Sequence, residues 1–300
     1  MHQKKLALVN DVTGYGRCSI AVALPIVSAL KVQGCILPTA ILSVHTGFHD
    51  YYLDDYTDHM TPYIESWKKN GLTFDGISTG FLGSARQIDI VLDFLRDFKG
   101  PHTLAIVDPV MGDNGQLYPS YTQEMFDEMR RLLAYADVVT PNVTEACELL
   151  NLPYRSDRDL SEDDFAAMAK ALADKGPQGV ILTGIHNGPY IGNFIYDQGK
   201  MSWVRAKKVG GDRSGTGDVF TAIVSASVVR GESLEQAVQK ASDFICHSVS
   251  FSAIFFMERR QKVHEQVQRL VRLTYMLHCP SGFIFKPSAR STYCPCPTTV

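Results

Sequence analysis

The sequence predicts an α/β protein: a doubly wound, mainly parallel sheet with helices on both faces. Three observations carry that expectation. Short apolar runs that look like buried strands alternate with stretches of helical periodicity, the pattern of βαβ units. The runs end on polar or glycine-bearing positions (Asn10, His45, Gly80, Asp113, Asn142, Thr183) that such a sheet brings to one edge, where open α/β sheets bind ligands. No internal repeat or low-complexity linker interrupts the chain before residue 250, and 300 residues with 45% hydrophobic content are enough for one large core.

The elements follow in order. Leu6 to Val9 reads as a buried strand that meets a polar loop at Asn10-Asp11. The loop Thr13-Gly14-Tyr15-Gly16-Arg17 comes next and does not fit a G-x-G-x-x-G dinucleotide fingerprint. Ser19 to Leu30 suits a helix, and Cys35 to Ser43 a second strand that ends in His45-Thr46-Gly47-Phe48-His49-Asp50. His45 there is either a site residue or a solvated loop histidine. Leu53 to Asn70 reads as a helix stopped by Gly71, and Phe74 to Thr79 as a strand. Ser84 looks like an N-cap for a helix whose Ile88, Val91, Leu92 and Leu95 share one face. Leu104 to Val107 is a buried strand followed by Asp108 to Gly115, either a metal or phosphate loop or a turn closed by Asx hydrogen bonds.

Met125 to Tyr135 is a helix candidate, and Val138-Val139 a short strand before Pro141. Asn142 and Glu145 open the next helix, where a first-turn carboxylate is favourable in any case. Ser161 with Asp164 starts another, with Phe165, Met168, Ala169 and Leu172 inward. Gly179 to Thr183 is a strand. Tyr190–Tyr196 and Met201–Arg205 form a hairpin around Asp197–Lys200, and Ser233 with Gln236 opens a last helix.

Between hairpin and last helix lies GGDRSGTGDVF, Gly210 to Phe220. Glycine admits positive φ and close approach of a ligand to the main chain. Helix-start N–H groups lack intrahelical partners and carry the positive end of the dipole, so a glycine turn entering a helix is an anion cradle. A carboxylate there, Asp218, is unfavourable unless it has a task, such as taking a proton from an attacking hydroxyl. The plainer alternative is a glycine-rich turn with Asp at a helix N-terminus.

Composition limits the function classes. The net charge of −3 shows no basic surplus, against nucleic-acid or membrane-surface binding. No apolar run reaches the roughly 18 residues of a membrane span, and MHQKKLALVNDV is too polar for a signal peptide. Seven scattered cysteines form no disulfide framework and no CxxC pair, and Cys279, Cys294 and Cys296 lack a fourth metal ligand, so a reducing, cytoplasmic setting is expected. No GxxxxGK[ST] is present, which excludes a P-loop.

Taken together, SGTGDVF (Ser214–Phe220), DPVMGDNG (Asp108–Gly115), TPNVTEA (Thr140–Ala146) and STGFLGS (Ser78–Ser84) resemble the ribokinase-like (PfkB) superfamily. LSVHTGFHD (Leu42–Asp50) makes the chain similar to the pyridoxal (vitamin B6) kinases within it. The resemblance covers about Lys5 to Ser250. It implies ATP-dependent phosphorylation of the 5′-hydroxymethyl group of pyridoxal, pyridoxine or pyridoxamine, with Mg²⁺, room for a monovalent cation such as K⁺, and a homodimer. By that resemblance Asp218 takes the hydroxyl proton, and the Gly215, Thr216 and Gly217 amides hold the phosphoryl oxygens. Asp113 and Glu145, with Thr140, take the metal. Asn142, Thr183, Lys207 and Arg213 join Asp113 and Glu145 on the ATP side, Arg213 being otherwise a solvated loop charge. Asn10, His45 and Thr46 face the ring, with Phe81 packing on it. Asn10 stands where many B6 kinases carry serine. The cousin reading is hydroxymethylpyrimidine kinase, and a third is a catalytically weak B6-binding protein. The kinase domain is placed at 1–252. From about 253 to 300 the chain leaves the family pattern, reads as an atypical helix and disordered tail, and puts ATP affinity in question.

Overall fold

The computed structural model describes residues 3–118, 121–210 and 214–257. Among them nine strands form one sheet, in the order β11-β10-β9-β8-β5-β4-β1-β2-β3. These strands are β1 (Lys5–Tyr15), β2 (Gln33–Val44), β3 (Leu53–Asp55), β4 (Gly76–Thr79), β5 (Leu104–Val107), β8 (Val138–Val139), β9 (Gly179–Asn187), β10 (Tyr190–Asp197) and β11 (Lys200–Lys207). A separate two-stranded ribbon pairs β6 (Gly112–Asp113) with β7 (Gln116–Leu117). From β2 through β1, β4, β5 and β8 to β9 every pairing is parallel; β3, β10 and β11 add antiparallel edges.

The helices are α1 (Ser19–Ala29), α2 (Thr57–Lys69), α3 (Ala85–Phe98), α4 (Gln123–Leu132), α5 (Val143–Leu150), α6 (Glu162–Ala173), α7 (Thr216–Val229) and α8 (Leu234–Met257). The two-residue period of the strands divides them into two layers. Ala7 and Val9 of β1 point into a core shared with α2 to α6, while Leu6 and Leu8 point into a second core with α1, α7 and α8. Burying each such large apolar side chain contributes on the order of 1.5–3 kcal/mol. Both faces are therefore covered, as the alternating pattern predicted.

The start signals read from the sequence form as expected. Ser84 accepts from the Gln87 N–H, and Ser161–Asp164 and Ser233–Gln236 are reciprocal capping boxes. Three boundaries differ most. Strand β1 runs on through Thr13, Gly14 and Tyr15, read as loop, because β2 pairs with it as far as Tyr15↔Val44 across an irregularity between Asn10 and Val12. Leu53–Asp55, read as the start of a helix, is instead an edge strand paired with Ala40–Leu42. Strand β9 extends past Thr183 to Asn187, drawn out by its pairing with β10. The expectation of an atypical tail falls on α8's last residues, where only the backbone is described, and on 258–300, outside the described residues. Among the described residues no helix is long and apolar enough to cross a membrane.

Candidate active site

Helix α7 begins at the glycine turn. Gly215 caps it at φ 85°, in the left-handed region. A Cβ there would lie 1.7 Å from the Arg17 carbonyl oxygen, so only glycine fits against the loop joining β1 to α1. Among the described residues the Val219 N–H is the first to bond back, to Gly215 O at 3.0 Å. The N–H groups of Thr216, Gly217 and Asp218 thus precede the first intrahelical bond, at the positive end of the dipole. A Cβ on Gly217 would meet nothing within 4 Å. All four residues from Gly215 to Asp218 line a cavity of about 580 Å³, within the usual range for a small-molecule site.

Asp218 is half-buried in surface terms, but its carboxyl is crowded by protein. Burial pushes it up to about 6; the Ser19 N–H and the Asn10 amide pull the other way, and Asp11 pushes with burial. Three residues along α7, Thr221 donates to Asp108 at 2.7 Å, and Thr140 Oγ1 lies 3.3 Å from Thr221 Oγ1. Burial pushes Asp108 up to about 7, with Asp218 adding to it. Glu145 is raised well above the ordinary carboxylate range, first by burial and then by Asp108. Its two oxygens accept from Met111 N (3.1 Å) and Asn142 N (2.8 Å), so it ties the Asp108–Gly115 loop to the start of α5. A cavity holding this many crowded carboxylates suits cations and phosphate-bound metal.

The cavity brings together Asp113, Thr140, Asn142, Glu145, Thr183, Lys207 and Gly215 to Asp218. Asn142 is occupied by its own helix and by β6: Oδ1 accepts from Glu145 N, and Nδ2 donates to Gly112 O at 2.7 Å. Thr183 is held beside Asn142 by an isolated parallel bridge. Asp113 is exposed on β6, and Lys207 ends β11. Among the described residues no group of three or more His, Cys, Asp or Glu side chains forms a metal-ligand set. Arg213 lies outside the described residues.

The ring-side candidates lie elsewhere: Asn10, His45, Thr46 and Phe81 do not line this cavity. Asn10 joins it indirectly, its Nδ2 being 3.3 Å from Asp218 Oδ1. His45 packs on Phe48 with ring centroids 4.8 Å apart, and a Cβ on Gly16 would meet its Cδ2 at 3.0 Å. Thr46 is exposed, and Phe81 packs edge-on against Tyr121. Sequence reasoning flagged Asp108 only as part of the Asp108–Gly115 loop and gave it no role of its own, and it missed Thr221 and Ser19. Asp108 directly follows β5, the strand-end signal already used for its neighbours, and Thr221 is one helical turn from Asp218. The Ser19 N–H had no signal.

The phosphomethylpyrimidine kinase family model matches residues 21–264. A Bacteroides thetaiotaomicron protein named for phosphomethylpyrimidine kinase superposes with a TM-score of 0.83 at 38% identity, covering 91% of this chain and 95% of that one. In a second crystal form, with pyridoxal, the values are 0.78 and 41%, covering 82% and 87%. The hydroxymethylpyrimidine/phosphomethylpyrimidine kinase of Haemophilus influenzae is 31% identical over 61% of this chain and 67% of its own length. Pyridoxal kinase of Arabidopsis thaliana is 30% identical over 61% of this chain and 60% of its own length. The chain spans about two thirds or less of these two curated relatives. Its kinase fold, its motifs and a family match over most of its length agree, and the chain belongs to the phosphomethylpyrimidine kinase family, a ribokinase-like family that has pyridoxal kinases among its structural neighbours.

Proposed function

We propose that this kinase transfers the γ-phosphoryl group of ATP to the 5′-hydroxymethyl group of a B6 vitamer. The carrying observation is Asp218, a crowded carboxylate beside the Gly215–Gly217 helix start, in a cavity of nucleotide size. A carboxyl with its pKa near 6 is ionised at pH 7 yet basic enough to accept a proton in a transition state. The acceptor hydroxyl gives its proton to Asp218 as its oxygen bonds to the γ-phosphorus, and the bond to ADP breaks. The Gly215, Thr216 and Gly217 amides bind the equatorial oxygens, and Lys207 and Thr183 lie along the nucleotide phosphates. Such transfer is mostly positioning and charge stabilisation.

Asp113, Glu145 and Thr140 suit a hard cation that takes its remaining ligands from phosphates and water. When bound, Mg²⁺ would neutralise charge on the phosphates. The crowding of Asp108, Glu145 and Asp218 supports a cation in this cavity. His45 and Thr46 on the ring side, a homodimer and a cytoplasmic setting belong to the same reading.

Pyridoxal in the crystals of the 41% identical relative favours the B6 acceptor. The family model and the Haemophilus relative favour a second reading, a hydroxymethylpyrimidine acceptor on the same machinery. Coupled ADP release with pyridoxal, pyridoxine, pyridoxamine and hydroxymethylpyrimidine separates them. Turnover of the pyrimidine with all three vitamers inert makes the B6 reading wrong.

A further inference from the structure

We propose that Asn10 is a positioning residue that orients Asp218, not a contact to the acceptor ring. The proposal rests on the phosphoryl-transfer reading above. Asn10 Oδ1 accepts from two backbone donors, Asp11 N and Phe81 N, each at 2.9 Å. An amide turned the other way would set its NH₂ against both, so the network fixes Nδ2 toward Asp218 Oδ1 at 3.3 Å. The side chain thereby ties the Asn10 bend of β1, the turn after β4 and the start of α7 into one unit.

Gly80 makes room for it. A Cβ at Gly80 would lie 2.4 Å from Asn10 Nδ2 and 2.5 Å from its Cγ. A second donor comes from Ser19, buried, non-glycine and at φ 54°, whose N–H bonds the same carboxylate. Backbone held in that sparsely populated region persists only where its surroundings fix it. The carboxylate faces Asp11 from β1, Asp108 from the end of β5, Cys18 from the start of α1 and Tyr118 after β7. Among these neighbours, the Asn10 and Ser19 donors hold the carboxylate in place.

The test compares wild type, Asn10→Asp and Gly80→Ala by two readouts. The first is ¹³C-carboxyl NMR titration of Asp218 in ligand-free protein, assigned with Asp218→Asn. The second is the pH dependence of kcat and KM. Asn10→Asp keeps the shape but replaces the donor with a like charge, so the carboxylate pair holds its last proton to higher pH. The Asp218 titration and the acid limb of kcat should both rise by about one pH unit. That lowers kcat about tenfold below the limb, with the acceptor's KM within about twofold. Gly80→Ala, which displaces Asn10 without adding charge, should move both in the same direction. Where Asn10→Asp does not fold, Asn10→Ala removes the donor without adding charge, together with the acceptor of Asp11 N and Phe81 N, and should raise the titration by less. A raised KM with an unmoved limb would make Asn10 a ring contact, and an unmoved Asp218 titration in every variant would make it scaffold; either overturns the proposal. A titration that moves in a wild-type background transferring no phosphoryl group would support the clamp and sink the kinase reading.

Discussion

Two glycines two residues apart should respond oppositely to alanine. At Gly215 the backbone sits at φ 85°, where a Cβ costs about 1–2 kcal/mol from backbone sterics alone. The same Cβ falls 1.7 Å from the Arg17 carbonyl, so main chain must move as well. Together these place Gly215→Ala at roughly 3 kcal/mol or more. At about 2–4 °C per kcal/mol, Tm drops by roughly 6 °C or more. At Gly217 the added methyl meets nothing within 4 Å, and alanine is the better helix former by up to about 1 kcal/mol. Gly217→Ala should therefore leave Tm unchanged or raise it by up to about 4 °C. Yet Gly217 lines the cavity where the phosphoryl oxygens would sit. Disturbing one such donor costs about 2.7–4 kcal/mol, or 10²–10³ in kcat. Thermal melts and ADP release on both variants check this. Full turnover in Gly217→Ala would refute the cradle, and an unchanged Tm in Gly215→Ala would refute the packing of the glycine turn on the β1–α1 loop.

Two further outcomes follow from the same geometry. Asp108 and Asp218 have folded-state values of about 7 and 6, above the ordinary 3.8. Their contribution to stability is complete below 3.8 and is lost as pH rises through 6 to 7, so the Tm of the ligand-free protein should fall from pH 5 to pH 8. Asp108→Asn should flatten that slope, and a Tm rising with pH would contradict it. Asn142→Ala removes the cap of α5 and the bond to Gly112 O, and should lower stability by about 1–2 kcal/mol in urea titrations. Its ADP release should fall as the Glu145 tether to Met111 loosens; unchanged stability would make the cap incidental.

What could be read in the sequence was what local chemistry dictates. Ser84, the Ser161–Asp164 and Ser233–Gln236 boxes and the strand Leu104–Val107 act through neighbours within a few residues, and all stand as expected. The short strand Leu53–Asp55 and the run of β1 through Tyr15 exist only because β2 pairs with them, a long-range cause with no local mark. The site divides the same way. The glycine turn, Asp218 and the polar strand ends were visible as motifs. The Ser19 N–H on Asp218, the Thr221–Asp108 bond and the fixed amide of Asn10 join residues 113 to 208 positions apart or depend on backbone geometry.

The most direct test is at Asp218. Asp218→Asn keeps size and hydrogen-bonding shape and removes the base. In a coupled ADP-release assay with pyridoxal, turnover should fall by at least the roughly 10²-fold typical of losing a general base, while pyridoxal binding followed by absorbance stays close to wild type. Turnover retained in that variant, or pyridoxal binding lost with it, would contradict the role assigned to this carboxylate.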